Sequence, residues 1–477
     1  MRATDDPLAI SGEVAAQTTG GASEPIKLER FRPFRRKFPE KAAPRVLLLQ
    51  GPVGPFFKHA QDKLNANGFD TWRVCFNAGD RLFTRRDKAL HFAGPASVWK
   101  GWIASVLQEN GFDFVVLFGC ERELHHTALD QCAALGIPAL CLEEGYLRPG
   151  YVTMEFGGNN WRSPIAGKLP PKDVDDERQG LPKALPCPSS FASMASYAFL
   201  YFTVRALLST VGERKLFHKN KRTLVSEGIY WVKNYYRKFA NVGRNYRMTE
   251  RLLEYHDKKY FLVPLQVHDD SQLGRPAKSW NNQKLILKSI VSFARNAPPS
   301  AHLVFKIHPM ERGHSRDAQF IRQLCKLNDV SDRVHIIDGG SLGLLTRHSA
   351  GMITINSTSG LSAIYHGVRL AVLGQSIYRN PALAYCVNKG IELDRFWTMD
   401  ETPNVAEGRR YIEWLAQEAL VGGDFYAAEG IELAVDNLLL KLEQAHRAVC
   451  MKAESDLAVV ELHQSTRRRE AAKAAEG

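Results

Sequence analysis

The chain has no CxxC pair and no dense cysteine framework: Cys75, Cys120, Cys132, Cys141, Cys187, Cys325, Cys386 and Cys450 are scattered over 477 residues. That spacing excludes a small disulfide scaffold and a structural zinc ribbon, and reads as reduced cytosolic thiols. Long apolar runs are also missing. The most apolar stretch, Phe191 to Val204, is interrupted by Ser, Thr and then Arg205 well short of the ~20 residues a bilayer crossing needs. It is expected to form a buried or interfacial helix. The first forty residues lack the apolar core of a secretory signal, so the chain is expected to stay in the cytoplasm. No dense Asp/His cluster is present, and neither a metal nor another cofactor is expected.

What the chain does have is ordinary globular composition, 44% hydrophobic and 24% charged, enough to bury more than one core. Its net charge of +12 favours anionic partners, whether nucleic acid, lipid head groups or nucleotide phosphates. Much of that charge is local. Residues 211–251 hold eleven Lys or Arg against three Glu, interleaved with Phe217, Tyr230, Trp231, Tyr235, Tyr236, Phe239 and Tyr246. An anionic membrane surface suits that mixture, and an ordinary solvated helical pair is the alternative. Nucleic acid is not expected as a partner, because no recognised module accompanies the charge.

Strand-like apolar runs alternate with helical patterns in two blocks. The first predicts strands at 45–50, 71–76, 112–118 and 139–142, with helices near 56–67, 97–109 and 123–135. The second predicts strands at 260–266, 302–307, 334–337, 351–355 and 370–373, with a helix near 284–295. Alternation of this kind implies parallel sheets covered on both faces. The expected architecture is α/β, with two Rossmann-like lobes of the GT-B glycosyltransferase type and a helical basic insert. The predicted boundaries are a flexible tail at 1–43 carrying the basic-aromatic cluster Phe31 to Phe38, and an N-terminal lobe at 44–165. The insert follows at 166–258, a C-terminal lobe at 259–428, and carboxyl-terminal helices with a charged tail at 429–477.

Ligands of open parallel sheets sit outside the carboxyl ends of strands, so four polar strand ends stand out. His268-Asp269-Asp270-Ser271 ends the strand that contains Gln266; a turn or helix cap is its plain reading, and a carboxylate facing the cleft its functional one. Lys306-Ile-His308-Pro309 puts a Lys and a His on one strand face, suited to phosphate and a hydrogen bond. Asn356-Ser357-Thr358-Ser359-Gly360 is a hydroxyl-rich turn at a helix start, where free N–H groups suit phosphate; without a following GK[ST] it is not a P-loop. Glu143-Glu144-Gly145-Tyr146-Leu147-Arg148-Pro149 offers a carboxylate from the other lobe, with a Glu–Arg148 ion pair as the structural alternative.

The ordered set Leu49 to Phe57, Phe76 to Asp80, Glu143 to Pro149, Gln266 to Ser271, Lys306 to Pro309 and Asn356 to Gly360 resembles the capsular polysaccharide Kdo transferases of the KpsS/LipB type, with KpsC as a more distant relative. The resemblance runs over residues 45–380, about seventy per cent of the chain. It implies a metal-independent transferase that moves β-Kdo from CMP-Kdo to a phosphatidylglycerol-type lipid. The reaction would start the linker of a capsule polysaccharide, with retention by double displacement, on the inner face of the cytoplasmic membrane and near capsule synthesis or export proteins. Residue by residue, it implies Asp270 as nucleophile, Glu144 as acid/base, His308 near the donor phosphate and sugar, and Ser357, Thr358, Ser359 and Gly360 as the CMP-phosphate turn. Gln266 and Lys306 fall on the donor side; Gln50, Gly51, Asn77, Asp80 and Arg148 fall in the cleft or on the acceptor side. Only the match separates Asp270 from Asp269. The pattern departs at Ser362, where related transferases often carry Glu, so a ribose contact through a carboxylate is not carried over. The rival readings are a transferase for another nucleotide-activated sugar and a non-catalytic scaffold that couples capsule synthesis to export.

Overall fold

The structure is a computed structural model that describes residues 43–172, 191–216, 224–312, 314–388 and 392–475, with side chains to 451 except at 224, 225 and 227. The tail cluster Phe31 to Phe38, Cys187 and Phe217 lie outside the described residues.

The first lobe is a seven-stranded sheet of β1 (Arg45–Leu48), β2 (Asp70–Cys75), β3 (Ala89–His91), β4 (Phe114–Phe118), β5 (Ala139–Glu144), β6 (Tyr151–Phe156) and, from the far end of the chain, β13 (Leu420–Gly422). Its order is β13-β6-β5-β4-β1-β2-β3, parallel from β3 to β5 and antiparallel at β6 and β13. Val46 to Leu49 and Phe114 to Leu117 are almost fully buried, as expected for central strands covered on both faces. Between them the chain reverses its direction of winding: β2 lies on one side of β1 and β4 on the other. The loops after β1 and β4 therefore diverge and leave a crevice.

The second lobe is an all-parallel six-stranded sheet of β7 (Tyr260–Pro264), β8 (His302–Lys306), β9 (Val334–Ile337), β10 (Gly351–Thr354), β11 (Arg369–Val372) and β12 (Tyr385–Cys386). Its order, β12-β11-β10-β7-β8-β9, places the equivalent crevice between β7 and β10. The predicted strands are thus present, with β3, β6, β12 and β13 added at or near sheet edges.

Two features depart from the expected boundaries. The chain returns to the first lobe before residue 428: β13 pairs with β6, and the long helix Ala428–Ala475 buries Ile431, Val435, Leu438 and Leu442 against Phe56, Phe57 and Leu64. The lobes also share a core in which Tyr146, Leu147 and Tyr151 pack with Leu262, Leu370, Tyr411 and Leu415. The insert is helical as expected, at Phe191–Leu208, Val211–Lys215, Leu224–Ala240 and Val242–Tyr255.

Candidate functional site between the lobes

The two crevices are built alike. In each lobe the first strand runs into a buried glutamine, Gln50 after β1 and Gln266 after β7. Each glutamine is held by a residue from the loop across the crevice.

In the second lobe, Gln266 Nε2 donates to Asn356 Oδ1 at 3.1 Å and to Asp270 Oδ2 at 3.4 Å. Asp270 Oδ1 accepts the Gln272 N–H at 2.9 Å, and Asn356 Nδ2 donates to the Gln272 carbonyl at 2.7 Å. Asp270 therefore does cap a short 3-10 turn, as its plain reading required, and it is also half-buried against the crevice. The adjacent Asp269 is exposed and acts electrostatically on His268, whose Nε2 pairs with Asp317 at 3.1 Å. The structure thus separates two carboxylates that sequence reading could not.

The turn after β10 is tight. The Ser357 N–H donates to Thr354 Oγ1 at 3.3 Å, and the Ser359 N–H to Ser357 Oγ at 3.2 Å. A Cβ on Gly360 would lie 2.4 Å from the Tyr378 hydroxyl, so glycine is required there. Gln266 Oε1, Ser359 Oγ and Ser362 Oγ are buried without a partner. Buried polar atoms normally find one, so orphans beside this crevice mark where a polar ligand fits.

Lys306 does not join that turn. It lies on β8, with β7 between it and β10, and its Nζ donates to the Gly339 carbonyl at 3.0 Å. Burial pushes it down to about 8, with Arg312 acting the same way and Asp338 opposing. Lys306 is thus spent on a backbone carbonyl of the β9 loop rather than on the hydroxyl-rich turn. His308 begins the following turn, its Nδ1 accepting the Met310 N–H at 3.2 Å.

In the first lobe, Asn77 and Asp80 are fully buried and serve the fold. Asn77 Oδ1 accepts the Gly79 and Asp80 N–H groups, and its Nδ2 donates to the Tyr201 hydroxyl at 2.9 Å. Asp80 accepts from the Phe76 N–H at 3.0 Å, the Tyr201 hydroxyl at 3.0 Å and Gln50 Nε2 at 3.4 Å. Burial holds the Asp80 carboxyl above its ordinary range, opposed by Arg73. Neither residue presents a group to an acceptor, which corrects their placement. Arg148 is exposed, and its Nε donates to the Gly145 carbonyl at 3.1 Å; among the described residues the considered pair with Glu143 or Glu144 is not formed.

Three further side chains bear on the cleft, of which Arg122 and Asn160 were not singled out in the sequence. Successive residues of β5 face opposite sides, and Glu143 is the carboxyl whose charge couples to Asp270 of the other lobe. Burial raises it to about 7, with Arg122 opposing and Asp270 and Glu144 reinforcing. Glu144 is, after burial, the strongest influence raising the Tyr426 phenol. Arg122, a buried arginine at the start of the helix Glu123–Leu135, bridges the first crevice: its Nη1 donates to Gln50 Oε1 at 3.3 Å and to the Gly51 carbonyl at 3.2 Å. Asn160, in the left-handed region at φ 53°, bolts the lobes together. Its Nδ2 donates to Gln272 Oε1 at 3.1 Å, and its Oδ1 accepts the Ile377 N–H at 2.9 Å. Proximity of Glu143 to Glu144 was the only available sequence signal. Among the described residues no cluster of three or more His, Cys, Asp or Glu suits a metal ion.

Comparison with known proteins places the chain in a family. Residues 113–426 match the family described as capsule polysaccharide biosynthesis protein. The chain is 32% identical to the capsule polysaccharide export protein KpsS of Escherichia coli, covering 80% of this chain and 97% of that protein. It is 29% identical to the capsule polysaccharide modification protein LipB of Neisseria meningitidis serogroup A, covering 81% and 93%. A solved structure of Thermosulfurimonas dismutans KpsC, a beta Kdo 2,7 transferase, is similar at a TM-score of 0.36 and 14% identity, covering 84% of this chain and 99% of that one. The family match over most of the chain, together with the near full-length likeness to KpsS, makes this chain a member of the capsule polysaccharide biosynthesis protein family.

Proposed function

We propose that the chain is a retaining glycosyltransferase that moves β-Kdo from CMP-Kdo to a phosphatidylglycerol-type lipid at the inner face of the cytoplasmic membrane. The observation that carries this reading is the Asp270 carboxylate held at the crevice of the second lobe by Gln266 and Gln272, with Asn160 of the first lobe bonded to the same Gln272. Paired carboxylates across a sugar suit double displacement. The Asp270 carboxylate attacks the anomeric carbon, the bond to CMP breaks, and CMP leaves with the electron pair. The acceptor hydroxyl then displaces Asp270 while its proton passes to a carboxylate at the end of β5. Family resemblance gives that second role to Glu144, with Glu143 beside it on the same strand. The donor phosphate fits the Ser357–Gly360 turn, with His308 on the same side of the cleft.

A membrane location fits the insert. Phe199 is 76% and Tyr236 73% exposed, along with Leu207, Leu208, Val232 and Phe239, on two helices that touch each other. Lys233 and Lys238 lie over the rings of Tyr230 and Tyr235. Aromatic anchors and cations of this kind suit an anionic head-group layer. The helix Phe191–Leu208 is long and apolar enough to cross a membrane by length and composition alone, but it buries Tyr201 against Asn77 and Asp80 of the first lobe.

The test is turnover of CMP-Kdo with a lyso-phosphatidylglycerol acceptor, alongside thermal-shift comparison of CMP, UDP and GDP. Asp270→Asn is expected to abolish turnover and Asp269→Asn to retain most of it. Stabilisation by UDP or GDP but not by CMP would overturn the donor assignment.

A further inference from the structure

Arg122 is an unusual cation. It is about nine-tenths buried, yet among the described residues it forms no ion pair. One of its nitrogens is held by two neutral oxygens of the β1 loop, and the guanidinium lies over the Phe118 ring at 4.9 Å. The neighbouring carboxylate, Glu121, is already taken by Arg162 Nε at 2.8 Å, and Asp80 is bonded elsewhere. Glu143 acts on Arg122 through space only. A buried charge without a contacting counter-charge is costly, and this one stands in the crevice where the winding of the first sheet reverses, the place where open α/β sheets take ligands.

Its surroundings restrict the ligand. The neighbouring helix begins at Arg122 without a side-chain cap, which adds favourable dipole for an anion. A guanidinium with free N–H edges matches the geometry of a carboxylate or phosphate. On one side, Arg122 is linked through Gln50 to Tyr201, a residue of the helix whose outer face is apolar and exposed. The charge of Glu143, at the end of β5, acts on Arg122. An anionic group seated on Arg122 would thus lie between an apolar surface and the acidic end of β5.

We infer that Arg122 receives the phosphodiester of the acceptor lipid and so positions the acceptor hydroxyl for reaction; calling the ligand an acceptor rests on the proposed transferase reading. The donor's phosphate is assigned to the opposite crevice, where the orphaned Gln266, Ser359 and Ser362 oxygens lie.

The experiment is calorimetric titration of the full chain with glycerophosphoglycerol, the deacylated head group, in wild type, Arg122→Gln and Arg122→Lys. CMP and free Kdo serve as parallel ligands. Glycerophosphoglycerol is expected to bind wild type, at least tenfold more weakly to Arg122→Gln, and at an intermediate level to Arg122→Lys, which keeps the charge but loses the fork. CMP affinity should be equal in all three, which also shows that the variants are folded. Equal head-group affinity in wild type and Arg122→Gln would overturn the inference. So would loss of Kdo binding with head-group binding intact, since the guanidinium would then belong to the sugar carboxylate. If Arg122→Gln fails to fold, Arg122→Lys decides: a fivefold loss supports the assignment and no loss refutes it. Failure of CMP to bind any of the proteins would sink the donor reading while leaving the Arg122 comparison intact.

Discussion

Glu143→Gln should change the pH dependence of stability in a direction opposite to that of an ordinary paired carboxylate. Burial holds the Glu143 carboxyl at about 7, against 4.5 for an unperturbed glutamate. Between those values the folded chain keeps a proton that the unfolded chain has released, so the glutamate's contribution to stability declines as pH rises. At about 1.4 kcal/mol for each pH unit, the accumulated cost approaches about 3 kcal/mol above pH 7, less whatever water reaching this half-buried side chain screens. Glutamine has the same shape and no proton to lose. The variant should therefore match wild type near pH 4.5 and become more stable than it by pH 8. Urea unfolding across that range, followed by tryptophan fluorescence, measures the difference, with Glu144→Gln as the control on the opposite strand face. A pH-independent offset, or a larger effect in the control, would refute the burial of the Glu143 carboxyl in the cleft.

Removing the Tyr201 hydroxyl by Tyr201→Phe takes a donor from Asp80 and a partner from Asn77, both fully buried. A loss of about 1–3 kcal/mol is expected in chemical denaturation, and a change below about 0.3 kcal/mol would deny the hydroxyl that role. In the second lobe, His302 Nδ1 lies 3.1 Å from His335 Nε2, with the His256 ring tilted against His302 at 3.8 Å between centroids. Burial lowers all three, His335 to about 4. The unfolded chain binds these protons first, so stability is complete above pH 6.5 and falls as pH drops towards 4. Thermal melts at pH 7 and pH 5 should separate by several degrees, and by less in His335→Phe.

Strand positions were legible because apolar runs such as Val46–Leu49 and Tyr260–Pro264 have to be covered on both faces, and few other structures bury such runs. The edge strands were not. β3 has three residues and β12 two, too short to carry a pattern, while β13 is identified only by a partner 270 residues away, in β6. Acidic strand ends could be found in the sequence, but which of two adjacent carboxylates looks into the cleft depends on where the other lobe sits. That is why Glu143 and Glu144 could not be told apart, and why Asp270 needed Gln266 and Asn356 to distinguish it from Asp269. Asn77 and Asp80 were misplaced because a polar pair after a strand looks the same whether it faces ligand or is filled by a tyrosine from a helix more than a hundred residues later. Arg122 gave no signal at all, since nothing local says that a basic residue opening a helix will be buried.

The return of the carboxyl terminus to the first lobe sets an order on biogenesis. While the ribosome is still making the second lobe, Phe56, Phe57 and Leu64 lack their cover and the outer edge of β6 has no neighbour. Nascent chains therefore expose a sticky hydrophobic face and an open hydrogen-bonding edge until the residues up to Ala445 have been made. Chaperone dependence during translation, and intolerance of stop codons between 420 and 445, follow from that late closure.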